Sequence, residues 1–147
     1  MAIECVCRAD IKAAAVACFE TAVDALRWRE WARDLDRVDV LRPLSGSDPM
    51  RVDITIAILG EEKSAIIDLF ADPEANAMTF ELVESQSLDA FAGGVRFTPD
   101  GSRSRMDANL HAVLTRPRAA RIERMVSRKI ETALTRDFLR YMERGRR

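Results

Sequence analysis

The stretch AARIERMVSRKIETALTRDFLRYM, residues 119–142, places Ile122, Val126, Ile130, Leu134, Phe138 and Met142 at every fourth position. Ala119, Met125, Ala133 and Tyr141 widen this apolar stripe, and Arg121, Arg124, Arg128, Glu131, Thr135 and Arg136 take the opposite side. A period near 3.6 is that of an amphipathic helix. Pro117 suits its first turn, with Thr115 or Arg116 as the cap region. At 1.5 Å per residue, roughly 27 residues span about 40 Å, more than most globular helices. The polar positions do not sustain heptads, so a coiled coil is the weaker reading. The stripe has to bury against the rest of the chain.

That remainder reads mainly as strands. Ile3, Cys5, Cys7, Ala9 and Ile11 share one face, while Glu4, Val6, Arg8, Asp10 and Lys12 share the other, which predicts a half-buried strand. Ala13–Ala22 is alanine-rich, with Val16, Phe19 and Val23 at helical spacing. Asp24 is a candidate cap for a second helical stretch holding Leu26, Trp28 and Trp31. From Val38 to Leu114 the text is strand and turn. Val38-Asp39-Val40 opens it, and Ser45-Gly46-Ser47-Asp48-Pro49 is a turn cluster. Val52, Ile54, Ile56 and Ile58 alternate up to a turn at Gly60-Glu61-Glu62, and a strand over Ala65–Phe70 follows. After the turn Asp72-Pro73-Glu74-Ala75-Asn76 come Met78, Phe80 and Leu82, then Phe91, Val95 and Phe97. The last group contains Gly93-Gly94, which predicts a bulge or sharp bend. Pro99-Asp100-Gly101 turns the chain into Met106, Ala108, Leu110 and Ala112.

Loops this short make consecutive strands antiparallel neighbours, since parallel crossovers need a dozen residues or more. One face of each strand is apolar, so one face of the sheet is covered and the other is wet. The long helix is the element available to cover it. These features predict an α+β fold: a curved antiparallel sheet of about seven strands around a long C-terminal helix, with two short helices between the first two strands. Residues 1–147 are expected to form one domain, a common size for a single core.

Composition narrows the function classes. Hydrophobic residues make up 48% and charged residues 32%, which excludes a disordered or collagen-like chain. The N-terminus lacks a basic region followed by an apolar run, and no stretch approaches the roughly 18 apolar residues of a membrane span. A cytoplasmic protein without integral membrane association is expected. Three cysteines, Cys5, Cys7 and Cys18, form no C-x-x-C pair, so buried free thiols are expected in place of disulfides or zinc. Basic residues are 20 Arg against 3 Lys, a skew that reads as coding bias. Residues 1–115 carry a net −8 and residues 116–147 a net +7. The basic helix face interleaves Arg121, Arg124, Arg128 and Arg136 with Glu123, Glu131 and Asp137, the pattern of a solvated face. Nucleic-acid readers add exposed aromatics or a recognition motif, and neither is present, so no nucleic-acid partner is expected.

One stretch carries a resemblance. Asp24, Trp28, Trp31 and then Val38-Asp39-Val40-Leu41, together with Phe19, Phe80-Glu81-Leu82-Val83-Glu84 and Gly93-Gly94-Val95-Arg96-Phe97, follow a family pattern. In these residues and in its order of elements the chain resembles the START/Bet v 1-like superfamily, in its bacterial polyketide cyclase/dehydrase and lipid-transport or coenzyme-Q-binding-like branch, whose members bind or transport small hydrophobic ligands. The resemblance covers nearly the whole chain and implies a helix-grip fold. It also implies a small hydrophobic ligand (a lipid, quinone or polyketide-like compound) held between sheet and helix. A cyclase/dehydratase-type enzyme and a coenzyme-Q-binding-like interaction module, with a protein partner or a homodimer, are the alternatives it implies.

The inward faces expected to line such a cavity supply Val52, Ile54, Ile56, Met78, Phe80, Leu82, Phe97, Met106, Ala108 and Leu110. The helix supplies Ile130, Leu134 and Phe138. Apolar walls with few polar groups characterise small-molecule sites. Catalysis needs a positioned acid/base pair. His111 alternates with Leu110 and Ala112 onto the wet face, Arg96 faces out, and Tyr141 sits at the helix end in a packing or rim role. Asp68 is the one carboxylate that could enter the pocket, since either face of its strand could point inward. No triad, P-loop, dinucleotide fingerprint or metal-ligand pair is present, so no catalytic residue, cofactor or metal is assigned.

Overall fold

The computed structural model describes residues 2–58, 60–116 and 118–144. The alternating N-terminal segment is strand β1, Ile3–Ile11, with Ile3, Cys5, Cys7 and Ile11 buried and Glu4, Val6 and Arg8 outward. Helix α1, Ala15–Ala22, buries Cys18 and Phe19. Ser104 ties it down, donating from Oγ to the Ala13 carbonyl at 3.0 Å. The second helical stretch is a 3₁₀ helix, Ala25–Glu30, and Asp24 makes no side-chain cap bond to it. Trp28 fixes this turn instead, because its buried Nε1 donates to the Ala22 carbonyl at 2.8 Å.

Six strands then follow: β2 (Leu35–Arg42), β3 (Met50–Ile58), β4 (Glu61–Asp72), β5 (Ala77–Glu84), β6 (Leu88–Asp100) and β7 (Arg103–Leu114). The sheet order is β1-β7-β6-β5-β4-β3-β2, antiparallel throughout. β2 to β7 form the expected meander. β1 joins beside the last strand, with Ile3 opposite Ala112 and Ile11 opposite Ser104.

Three local readings are corrected. β4 begins at Glu61, which already pairs with Ile58, so Glu61 and Glu62 belong to the strand and not to the turn. The β6–β7 connection is the two residues Gly101 and Ser102, since Asp100 pairs with Arg103; Gly101 supplies a φ of 64°. Gly93-Gly94 is not a bulge, because register runs unbroken through both residues to β5 and β7. A Cβ on Gly93 would lie 2.3 Å from the Asn109 carbonyl oxygen, and one on Gly94 would lie 2.8 Å from that of Met78. Close approach of neighbouring strands is what demands the glycines. The β6 bulge falls earlier, between Leu88 and Ala90. It shifts side-chain parity by one, so that Leu88 and Phe91 are both buried despite their odd spacing.

The C-terminal helix consists of α2 (Ala120–Thr132), a π-helical turn (Ala133–Asp137) and α3 (Phe138–Glu143). It starts later than expected. Its N-cap residue is Ala119, with no side-chain cap, and the Thr115 hydroxyl donates to Asp89 instead. Pro117 lies outside the described residues. The π turn accounts for the four-residue spacing of the stripe. Positions four apart drift by about 40° per step around an α-helix. One extra residue in a turn sets that drift back, so Val126, Phe138 and Met142 are all buried. Ser127 Oγ donates to the Glu4 carbonyl at 2.9 Å, holding α2 over β1.

The helix face also corrects the expected solvated pattern. Asp137 is largely covered, its side chain 12% exposed against Arg136. Glu123 is only 5% exposed, and neither of its carboxylate oxygens has a hydrogen-bond partner among the described residues. Its place in the first helical turn favours negative charge by about 0.3–1 kcal/mol. An unsatisfied buried polar group costs about 1–3 kcal/mol, so desolvation prevails. Glu123→Met should therefore raise Tm by several degrees in a thermal melt followed by circular dichroism. An unchanged or lower Tm would show that the carboxylate has found a partner.

Candidate functional site

The core forms two groups. One surrounds Trp28, Val52, Ile54, Ile67, Leu69, Phe91 and Val126. The other surrounds Cys18, Phe19, Phe97, Met106, Phe138 and Met142. A cavity of about 250 Å³ draws its walls from both. The sheet contributes Ile54, Ile56, Met78, Phe80, Phe97, Met106, Ala108 and Leu110, and the helix contributes Ile130, Leu134 and Phe138. Val52 and Leu82, also expected there, do not border it. Val52 is wholly buried in the first core group, and Leu82 packs against that group opposite Ile67.

Several wall residues were not foreseen. Trp28, Trp31 and Leu35 come from the 3₁₀ helix and its exit. The tryptophans were visible as a motif, but nothing local showed that they turn inward. Leu88 and Phe91 also line the cavity, hidden from the alternation pattern by the bulge. Ile3 contributes because β1 pairs with β7, a long-range fact.

Aromatic rings order one end of this space. Phe138 stacks on Phe97 with centroids 5.8 Å apart and meets Trp31 edge-on at 4.9 Å. Phe80 and Phe91 lie 5.0 Å apart at a tilt of 49°. Trp31 also borders a polar surface cleft lined by Glu30, Arg33, Asp137, Arg140, Tyr141 and Arg144. Tyr141 donates to Glu30 at 2.6 Å. Hydrogen bonds from Arg27 and Tyr141 hold the Glu30 carboxyl at about 2.

The charged side chains of the lining are partly or fully exposed, at the cavity rim. Lys63 sits on the inward row of β4 with Ala65, Ile67 and Leu69, its side chain 21% exposed. Its Nζ lies 3.1 Å from Glu61 Oε2, and Arg118 pairs with the same carboxylate. These two cations keep the Glu61 carboxyl below its ordinary range, Lys63 chiefly. Lys129, exposed on α2, and Asp34, before β2, complete the rim.

The other titratable candidates lie elsewhere. His111 pairs with Glu4 across β1 and β7 on the outer face, as its alternation predicts. Asp68 does not enter the cavity. It alternates away from the inward residues Ile67 and Leu69 and binds Arg51 on β3 through two hydrogen bonds of 2.9 and 3.0 Å. Those bonds keep its carboxyl below the usual range. A carboxylate lowered by folding stabilises the protein above the ordinary carboxylate range. That contribution is lost as pH falls toward the lowered value. Asp68→Asn should therefore lower Tm at neutral pH, with the gap from the parent closing as pH falls. A gap independent of pH would count against the ion pair.

The three cysteines are free and buried, as expected. Cys5 and Cys7 Sγ lie 3.2 Å apart, and burial, followed by the bond to Cys5, pushes Cys7 up to about 12. Folded protein at about pH 8 should not react with Ellman's reagent, and all three thiols should titrate in guanidinium. Rapid labelling of the folded chain would contradict the burial. Among the described residues, no three His, Cys, Asp or Glu side chains converge as metal ligands would. Nor is any helix among them long and apolar enough to cross a membrane.

No family model matches the chain, and no curated protein matches it in sequence. Solved structures match in shape. The Zhui aromatase/cyclase from a Streptomyces species superposes with a TM-score of 0.82 at 16% identity, over 100% of this chain and 97% of that one. A Thermus thermophilus protein, TTHA0849, gives 0.80 at 18% identity, over 96% and 94% of the two chains. A START superfamily protein from Mycobacterium smegmatis gives 0.76 at 13% identity, over 89% and 93%. With its seven-stranded antiparallel sheet, short helices before β2 and long C-terminal helix, the chain shares the helix-grip fold of these structures.

Proposed function

We propose that the chain binds a small hydrophobic molecule in the cavity between the sheet and the C-terminal helix. The observation that carries this reading is the lining. Aliphatic and aromatic side chains make up nearly all of it, and its charged side chains lie at the rim. Apolar walls around a preformed space favour an apolar occupant through the area it withdraws from water. At about 250 Å³ the space is near the lower end for small-molecule sites, so the occupant is compact or a single chain. An acid/base reaction on such a molecule would need polar groups converging inside. His111 and Asp68 lie on the outer face, and Tyr141 is engaged with Glu30.

Native mass spectrometry of freshly purified protein tests the reading. A bound apolar mass, or saturable uptake of an added one that changes Trp28 and Trp31 fluorescence, is the expected result. Protein that is empty and takes up no apolar probe would overturn it.

A further inference from the structure

We infer that the cavity takes an amphiphile with an anionic end, whose apolar part fills the space while its carboxylate or phosphate ester stays at the rim beside Lys63 and Lys129. This inference rests on the binding reading above and adds the chemistry of the occupant's head. The interior offers a polar head nothing. Among the described residues Trp31 Nε1 lacks a partner, but it is itself buried from solvent, and the other side chains of the inner wall are apolar. A head group must therefore stay at the opening. Among the described residues, the charged side chains of the lining are Asp34, Lys63 and Lys129.

The two cations stand out against the composition. The chain has 20 arginines and only 3 lysines, yet two of those lysines border this cavity. A lysine lays its four-carbon stem along an apolar wall and keeps a compact ammonium in water. The Lys129 ammonium has no hydrogen-bond or ion-pair partner among the described residues. Lys63 is held by Glu61, but Glu61 is shared with Arg118, so the Glu61 group keeps a net positive charge. Asp34 is the opposing charge on the rim, and Lys129 brings the sum of these groups back to positive. The volume holds roughly eight water-sized groups, which suits a medium-length alkyl chain.

The test compares decanoate, decyl phosphate and 1-decanol by tryptophan fluorescence titration at low and high ionic strength. A partly exposed ion pair at the rim should give an anionic head about tenfold tighter binding than the alcohol at low salt, with the preference shrinking as salt rises. Lys129→Glu should bring the ratio of the two affinities towards one, and Lys63→Gln should lower it less. Preference for either anion supports the inference and identifies the head. Equal binding of all three overturns it and leaves the hydrophobic-ligand reading standing. Binding of none overturns both.

Discussion

Gly93→Ala should cost more stability than alanine at any other described glycine, upward of about 4 kcal/mol, and leave little folded chain. The added Cβ would sit 2.3 Å from the Asn109 carbonyl oxygen and 3.1 Å from the Leu110 Cα, both backbone atoms of the paired strand β7. Backbone in the middle of a ladder cannot move aside without opening the β6–β7 pairing, where Gly93 faces Leu110. The same residue pairs with Phe80 on β5, whose ring lies 3.1 Å from the added carbon. Gly101→Ala is the control. Its Cβ meets nothing within 4 Å, but its φ of +64° costs an alanine about 1–2 kcal/mol. Denaturant melts of the two variants should separate clearly. A Gly93→Ala protein as stable as Gly101→Ala would mean that the strands do not approach so closely.

Phe138→Ala should cost about 3–5 kcal/mol and lower Tm by about 6–20 °C. Phe138 is 2% exposed, stacks on Phe97 and receives the edge of Trp31, so three elements lose contact at once. Because it borders the cavity, its truncation also enlarges the space. Bulkier apolar probes should then bind better than they do to the parent, which a purely structural residue would not produce. Phe138→Leu should recover much of the stability. A melt within a degree or two of the parent would show that the ring is not packed as described.

The strands, the short helices and the amphipathic stripe were legible because alternation and helical spacing are local properties of the chain. So was the wet-face placement of His111, since side chains in a strand alternate whatever lies across from them. The start of the last helix was misread because a proline and a hydroxyl residue looked like a cap, while Thr115 spends its hydroxyl on Asp89. Glu123 looked solvated because its neighbours in sequence are charged. A four-residue spacing does not reveal on which side a π turn will leave each residue.

The sequence by itself determined the helix-grip element order, the inward faces of the strands and the free, buried state of the cysteines. Each follows from short-range periodicity and residue chemistry. Tertiary structure alone decided that β1 closes beside β7, that a bulge brings both Leu88 and Phe91 inside, and that Val52 packs solid while Trp31 borders open space. It alone decided that Asp68 turns outward to Arg51 and that Lys63 and Lys129, far apart in the chain, line one cavity. These outcomes depend on strand order, register and close packing between residues far apart in the chain. Periodicity within a single strand or helix carries no record of them.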